Sequence, residues 1–195
     1  MSNLKRTALR PAVFLDRDGT LNVEKDYLFR IEDFVFTEGA QEAVRLLNDA
    51  GFLVVVVSNQ SGIARGYYGQ EDVKRLHDAV DRLLAHKGAH VDAWYFCPHH
   101  PEGTTDQAIS CDCRKPAPGM LLQAAKEYGI DLADSYTVGD KRIDVEAGHA
   151  AGCHSILVAT GYGHSEAVGL PKTVPCCENL LAAARLICAA EHVKH

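Results

Sequence analysis

The chain has 195 residues, of which 47% are hydrophobic and 24% charged, and its formal net charge is −6. This balance predicts one globular domain over residues 1–195 and argues against a nucleic-acid or anionic-membrane surface. No N-terminal apolar run is long enough for a signal peptide, and the longest run, residues 52–57, is too short to cross a bilayer. Seven cysteines without an export signal therefore favour a reducing, cytoplasmic location, where clustered cysteines more often bind metal than form disulfides.

The first predicted element is a buried β-strand at residues 12–15, which runs directly into Asp16-Arg17-Asp18-Gly19-Thr20. A short, continuous apolar run is typical of a parallel strand, and ligands bind at the carboxyl ends of such strands. Unpaired carboxylates are costly to bury there, and a hard cation such as Mg²⁺ would offset that cost. Taken alone, however, the Asp-x-Asp pattern fits a turn with two solvated acids better than a metal site.

Apolar spacing predicts that helices and strands alternate along the rest of the chain. The predicted helices cover residues 38–50, 70–87, 118–129, 141–151 and 178–190, and the predicted strands cover residues 52–57, 91–96, 136–140 and 155–158. The stretches 22–35 and 61–69 are predicted loops. This alternation predicts an α/β fold with a doubly wound, Rossmann-like parallel sheet.

Polar residues follow the second predicted strand in the segment Ser58-Asn59-Gln60-Ser61-Gly62. Hydroxyl and amide groups of this kind can hold an anion with neutral donors, although an ordinary polar turn has the same composition. In the next loop, Arg65 either reaches a ligand or is solvated.

Two chelating pairs, Cys97-x-His99 and Cys111-x-Cys113, enclose a loop of eleven residues. Three thiolates and one imidazole are a set that Zn²⁺ favours, and a site with no open position is structural. We therefore expect Zn²⁺ to hold an inserted loop at residues 97–113, and the alternative is a group of reduced thiols beside a histidine. The spacing does not separate His99 from His100 as the ligand.

Four elements stand at successive strand ends: Asp16-Arg17-Asp18-Gly19-Thr20, Ser58-Asn59-Gln60, Lys115, and Gly139-Asp140 with Asp144. In this combination the chain resembles the haloacid-dehalogenase (HAD) phosphatase superfamily. Within that superfamily, the chain is similar to the D-glycero-D-manno-heptose-1,7-bisphosphate 7-phosphatase family in four segments. These are residues 14–22, residues 58–66, Cys97-Pro-His-His-Pro101 and Cys111-Asp-Cys-Arg-Lys-Pro116. The resemblance covers residues from about 12 to about 165.

The resemblance implies a phosphoric monoester hydrolase acting in lipopolysaccharide-core heptose biosynthesis. The sequence has no insertion after the first or third motif that is large enough for a cap domain. It implies that Asp16 is the nucleophile, which becomes an aspartyl-phosphate, and that Asp18 is the general acid and then the base. Ser58 and Lys115 would hold the phosphoryl group. A catalytic Mg²⁺ would be bound by Asp16, the backbone carbonyl of Asp18, and Asp140, beside a structural Zn²⁺ in the cysteine loop.

The candidate substrate contacts lie in four segments and mostly follow from the resemblance. They are Glu24, Lys25, Asp26, Tyr27, Asn59, Gln60, Ser61, Arg65, Arg114 and Lys141. Asp144 either orients Lys115 or a metal-bound water, or is a solvated helix acid.

Two other functions remain open. Histidinol-phosphate phosphatases share the superfamily motifs, but their zinc loop is typically shorter and lacks the Gly-Ile-Ala-Arg-Gly sequence found at residues 62–66. A zinc-stabilised protein that binds phosphorylated ligands without turnover is opposed by the complete set of Asp16, Asp18, Lys115 and Asp140. The residues leave the anomer of the sugar substrate open, and a monomer is the expected oligomeric state.

Overall fold

The structure is a computed structural model and describes residues 9–192. Its six strands are Ala12–Leu15 (β1), Leu53–Asn59 (β2), Ala93–Cys97 (β3), Tyr136–Gly139 (β4), His154–Val158 (β5) and Cys176–Cys177 (β6). They form one parallel sheet in the order β3-β2-β1-β4-β5-β6, which confirms the doubly wound prediction. The sequence analysis missed β6, because a strand of two residues shows no apolar repeat.

Seven helices connect and cover these strands in the described part of the chain. They are Ala40–Asp49 (α1), Ser61–Ala64 (α2), Gln70–Ala85 (α3), Gly119–Tyr128 (α4), Arg142–Ala151 (α5), Gly163–Glu166 (α6) and Leu180–His192 (α7). The short helices α2 and α6 and a 3₁₀ turn at Ile31–Asp33 were not predicted, because three or four residues are too few to show helical periodicity. No helix among residues 9–192 combines the length and the apolar character that crossing a bilayer needs.

The buried strand β1 shows why the sheet is covered on both faces. Val13 and Leu15 belong to the larger core cluster with residues of α1, α3 and α7, whereas Ala12 and Phe14 face a second cluster with residues of α4. Alternate side chains of a strand point to opposite faces, so all four are buried. Burying a side chain such as that of Phe14 contributes about 1.5–3 kcal/mol.

The register of the central strands brings three strand ends together. Leu15 pairs with Val56 of β2 and with Val138 of β4. The strand order reverses between β1 and β4, which is the switch point where open α/β sheets bind their ligands. The polar residues that follow these strands therefore meet at one edge of the sheet.

Candidate active site

The carboxyl ends of β1 and β2 border a cavity of about 200 Å³. Most of the predicted catalytic and substrate-binding residues line it, namely Asp16, Asp18, Glu24, Asp26, Tyr27, Ser58, Asn59, Gln60, Ser61, Lys115 and Lys141. Five carboxylates and two lysines line the cavity, so its charged side chains carry a formal net charge of −3. A phosphate dianion would be repelled here unless a further cation were bound.

The side chain of Lys115 lies at the centre of the site and makes three short contacts. Its Nζ is 2.5 Å from Asp16 Oδ1 and 2.6 Å from Asp144 Oδ1, and it donates a 2.7 Å hydrogen bond to the Val57 carbonyl. Burial opposes the charge on Lys115, but Asp144 and Asp16 outweigh that effect and raise its pKa above the ordinary value. Lys115 is therefore a fixed cation beside the predicted nucleophile.

Three carboxylates meet beside this lysine. Ligand oxygens of Asp16, Asp140 and Asp144 all lie within 4.8 Å of one another. Burial, with repulsion from Asp144 and Asp140, raises the pKa of Asp16 to about 8 despite the attraction of Lys115. Burial also raises the pKa of Asp140 to about 7. The raised pKa values of Asp16 and Asp140 show that their charged forms are unfavourable without a cation in addition to Lys115.

Within residues 9–192 the buried Oδ1 atom of Asp140 has no hydrogen-bond partner, while its Oδ2 accepts a 2.8 Å hydrogen bond from the backbone N–H of Tyr162. An unpartnered buried carboxylate oxygen next to other carboxylates fits Mg²⁺, which prefers oxygen ligands. The residues present therefore fit the implied metal.

Two glycines pack directly against Asp140. A Cβ added at Gly19 or at Gly161 would lie 2.2 Å from Asp140 Oδ2, and both residues have positive φ angles, +89° and +56°. Only glycine combines this backbone conformation with so close an approach. The position of the Asp140 carboxylate is thus fixed by backbone on two sides.

The sequence analysis gave no role to Arg17, which has no exposed surface. Its guanidinium donates hydrogen bonds of 3.0–3.1 Å to the Asp18 carboxylate and one of 2.8 Å to the Leu28 carbonyl. Asn22 donates a further 3.1 Å hydrogen bond to Asp18 Oδ1. Arg17 stands between Asp16 and Asp18 in the sequence, and this arrangement could have predicted the ion pair.

Lys141 lies at the rim of the cavity. Its Nζ is 3.0 Å from Glu24 Oε2 and 4.5 Å from the centre of the Tyr162 ring. Burial opposes its charge, but Asp140, Asp16 and Glu24 together raise its pKa above the ordinary value. Lys141 thus presents a permanent positive charge to an anion entering the cavity.

Three predicted substrate contacts do not line this cavity. Lys25 Nζ donates a 2.6 Å hydrogen bond to the Asp33 carbonyl, and Arg65 lies 3.9 Å from Glu102. Arg114 donates a 3.1 Å hydrogen bond to the His99 carbonyl, which joins it to the cysteine loop. Their roles in binding stay predictions.

The four predicted zinc ligands converge on one point. The sulfur atoms of Cys97, Cys111 and Cys113 lie 3.1–3.4 Å apart, and Nδ1 of His99 lies 3.3 Å from the Cys113 sulfur. Ligands of a tetrahedral zinc ion would lie about 3.5–3.8 Å apart, so the cluster has nearly the required size. His100 instead accepts a hydrogen bond from the Glu102 backbone at its Nδ1, so the geometry favours His99 as the candidate ligand.

The chain is similar to known phosphatases in sequence. A HAD-hydrolase-like family model matches residues 112–183. A D-glycero-beta-D-manno-heptose-1,7-bisphosphate 7-phosphatase from Pasteurella multocida (strain Pm70) is 48% identical over 154 residues, covering 78% of this chain and 84% of the relative. The protein of the same name from Escherichia coli (strain K12) is 48% identical over 153 residues, covering 77% and 80%.

A solved structure is similar over nearly the whole chain. The D,D-heptose 1,7-bisphosphate phosphatase from B. bronchiseptica, crystallised in complex with magnesium and phosphate, matches with a TM-score of 0.84 and 37% sequence identity. The match covers 92% of this chain and 99% of that structure.

Proposed function

The chain belongs to the D-glycero-beta-D-manno-heptose-1,7-bisphosphate 7-phosphatase family of HAD-like hydrolases, and we propose that it removes the 7-phosphate of this sugar bisphosphate. It is a phosphoric monoester hydrolase. The names of the relatives support the β anomer as substrate. The family relationship supports a place for the reaction in nucleotide-activated heptose biosynthesis for the lipopolysaccharide core.

One observation carries the proposal: Lys115 Nζ lies 2.5 Å from Asp16 Oδ1 inside the cavity that Asp18 also lines. A carboxylate that attacks a phosphate dianion is repelled by it, and a fixed cation reduces that repulsion. The pairing of a buried acid with a buried lysine is costly for stability alone, which supports a catalytic role.

The first step transfers the phosphoryl group to the protein. An Asp16 carboxylate oxygen attacks phosphorus, a new O–P bond forms, and the bond between phosphorus and the C7 oxygen of the sugar breaks. Asp18 donates its proton to that oxygen as it leaves, so the sugar departs as an alcohol. Lys115 and the Ser58 hydroxyl hold the phosphoryl oxygens during the transfer.

The second step restores the free carboxylate. Asp18, now ionised, removes a proton from a water molecule, which attacks phosphorus and breaks the Asp16–phosphate bond. Inorganic phosphate leaves, and Asp18 again carries its proton. Covalent catalysis of this kind replaces one difficult displacement by two easier ones.

Asp16, Asp140 and the backbone carbonyl of Asp18 would hold Mg²⁺, with Asp144 as a further nearby carboxylate. When bound, Mg²⁺ neutralises negative charge on the transferring phosphoryl group and aligns it with the nucleophile. Cys97, His99, Cys111 and Cys113 would hold a structural Zn²⁺. An ion bound there would fix the loop to which Arg114 is hydrogen-bonded, and thus where the guanidinium of Arg114 lies.

The volume of the cavity supports a substrate whose phosphate lies at the end of its carbon chain. At about 200 Å³ it is smaller than typical ligand pockets, which occupy about 300–1,000 Å³. It therefore suits the 7-phosphate and neighbouring carbons, with the 1-phosphate outside near Arg65 and Arg114. Seven cysteines suit a reducing cytoplasm, and a monomer remains our expectation.

The test measures phosphate release with Mg²⁺ from both anomers of heptose 1,7-bisphosphate, from histidinol phosphate and from p-nitrophenyl phosphate. We expect the β-bisphosphate to have the highest kcat/KM, and Asp16→Asn to abolish turnover of every ester. A preference for histidinol phosphate would keep the chemistry and overturn the substrate. Binding of the bisphosphate without turnover by the wild-type protein would favour a phospholigand-binding protein instead.

A further inference from the structure

Tyr68 lies in the loop between α2 and α3 and was not among the predicted site residues. Its side chain is buried and lines the cavity, and its hydroxyl donates a 2.7 Å hydrogen bond to Gln60 Oε1. Burial raises the pKa of Tyr68 to about 12, so the hydroxyl keeps its proton at neutral pH. Tyr68 is thus a permanent hydrogen-bond donor, and a single side chain, Gln60, separates it from the catalytic groups.

The amide of Gln60 connects Tyr68 to two of those groups. Its Nε2 donates to Ser58 Oγ at 2.7 Å and to Asp18 Oδ2 at 3.0 Å. Its Oε1 accepts from Tyr68 and, at 3.4 Å, from Arg17. A guanidinium only donates and a carboxylate only accepts, so these partners allow one orientation of the amide.

Tyr68 supplies the shorter of the two hydrogen bonds to the amide oxygen. Without it, the long bond from Arg17 alone would restrain that end of the Gln60 side chain. The amide could then tilt away from Asp18, to which its hydrogen bond (3.0 Å) is longer than the one to Ser58 (2.7 Å), because the 3.4 Å contact with Arg17 lies beyond the usual range of about 2.7–3.2 Å.

The ring of Tyr68 is itself held in place from two sides. It stacks on Phe29 with ring centres 5.0 Å apart. A Cβ added at Gly62 would lie 2.3 Å from Tyr68 Cε1, so the ring rests directly on the backbone of α2. Close packing on both sides fixes the direction of the hydroxyl, which is what a positioning role requires.

We propose that Tyr68 is a positioning residue that acts through the Gln60 amide to hold the Asp18 carboxyl group at the cavity for proton donation to the leaving group. The inference rests on the proposed function, since it assigns Asp18 the role of general acid. Tyr68 itself has no bond to the predicted nucleophile: its hydroxyl donates to Gln60 Oε1, and the backbone of Gly62 also hydrogen-bonds to it.

Esters with different leaving groups can distinguish a positioning role for Tyr68 from a general loss of activity. A sugar alkoxide is a poor leaving group and needs a proton, whereas p-nitrophenolate departs as a stable anion without one. The ratio kcat/KM contains the steps up to departure of the leaving group and excludes the later hydrolysis, in which Asp18 acts as a base. A residue that positions the general acid therefore affects kcat/KM for alkyl phosphates only.

The experiment compares the wild-type protein with Tyr68→Phe on heptose 1,7-bisphosphate, histidinol phosphate and p-nitrophenyl phosphate. We expect kcat/KM for the alkyl ester that the wild type hydrolyses to fall by about three- to tenfold, the size expected for one lost hydrogen bond. The loss should appear mainly in kcat, and kcat/KM for p-nitrophenyl phosphate should change less than about twofold.

Tyr95→Phe is the matched control, because it also removes one tyrosine hydrogen bond, to Glu127 at the surface. It should leave all esters unaffected. In addition, Gln60→Leu should lower kcat/KM for the alkyl ester at least as much as Tyr68→Phe, and the double variant should be no worse than Gln60→Leu alone.

Equal effects of Tyr68→Phe on alkyl and aryl esters, or no effect on either, would overturn this inference and leave the proposed function standing. Additive losses in the double variant would also overturn it, since Tyr68 would then act independently of Gln60. Wild-type turnover of p-nitrophenyl phosphate with neither alkyl ester would overturn both the proposed function and this inference.

Discussion

A carboxylate oxygen of Asp144 lies 2.6 Å from Lys115 Nζ, and the other oxygen of Asp144 accepts a 3.0 Å hydrogen bond from the backbone N–H of Lys141. Asp144 is thus fixed by the first turn of α5 and in turn fixes Lys115. Its side chain is only 5% exposed, which excludes the solvated helix acid as an explanation. Of the roles considered for Asp144, the contact favours orientation of Lys115.

We therefore expect Asp144→Asn to lower kcat by about 10- to 100-fold, the loss that a small misplacement of a catalytic group produces. The measurement is steady-state phosphate release from the heptose bisphosphate at saturating Mg²⁺. Glu146→Gln is the control, because Glu146 is an exposed acid on the same helix. Equal activity of Asp144→Asn and the wild type would contradict a role for Asp144 in holding Lys115.

Gly161→Ala should weaken Mg²⁺ binding. Its Cβ would lie 2.2 Å from Asp140 Oδ2 and displace that carboxylate, and the φ of +56° also strains any residue with a Cβ. Gly152→Ala carries comparable strain, with a φ of +88°, but its Cβ would meet nothing within 4 Å. Calorimetric titration should give Gly161→Ala an Mg²⁺ dissociation constant at least about tenfold higher than that of the wild type. A tenfold change corresponds to a loss on the order of 1.4 kcal/mol in binding free energy from one misplaced ligand. A similar change in both variants would attribute the effect to backbone strain.

His99→Ala and His100→Ala should differ in zinc content. The His99 Nδ1 atom lies 3.3 Å from the Cys113 sulfur, whereas His100 is bonded to the Glu102 backbone outside the cluster. We expect about one zinc per chain in the wild type and in His100→Ala, and much less in His99→Ala, by elemental analysis of the purified proteins. Proteolysis of the 97–113 loop should be faster in His99→Ala alone. Zinc retained by His99→Ala and lost from His100→Ala would reverse the assignment.

His77 should make the protein less stable in acid. Burial, and to a smaller extent the charge of Arg17, lower the pKa of His77 to about 3, and the ring stacks on Trp94 with centres 4.2 Å apart. A lowered folded-state pKa gives stability that is present above the unfolded value of about 6.5 and is lost as the pH falls below it. At pH 5 the loss from this group is about 2 kcal/mol relative to pH 7.5.

Urea unfolding of the wild type and His77→Phe at pH 7.5 and pH 5 measures this loss. The free energy of unfolding should fall between the two pH values by about 2 kcal/mol less in His77→Phe, because the variant has no buried imidazole to protonate. His86→Gln removes an exposed histidine near the end of α3 and should behave as the wild type does. The same pH dependence in all three proteins would contradict a buried neutral His77.

Much of the fold follows from apolar spacing alone. The continuous apolar runs predicted five of the six strands, and the 3.6-residue repeats predicted the five long helices. The elements that escaped prediction, such as α2, α6 and β6, are two to four residues long. Elements that short are held by their neighbours and not by a periodic pattern of their own.

The same distinction holds at the site. Asp16, Asp18, Lys115 and Asp140 could be named from the motifs that resemble the family, and the candidate zinc ligands could be named from their spacing. The sequence could not decide between His99 and His100, or between the alternatives for Asp144, because those choices depend on which side chains meet after the chain has folded. Arg17 and Tyr68 were missed for the same reason.

The class of fold and the polar residues at the strand ends therefore follow from local order along the chain, as do the residue types of the two candidate metal sites. The tertiary structure decided which groups contact one another: Lys115 with Asp16 and Asp144, Arg17 with Asp18, and Tyr68 with Gln60. Lys115 and Asp16 lie 99 residues apart, and only the packing of the sheet against its helices brings them within hydrogen-bonding distance.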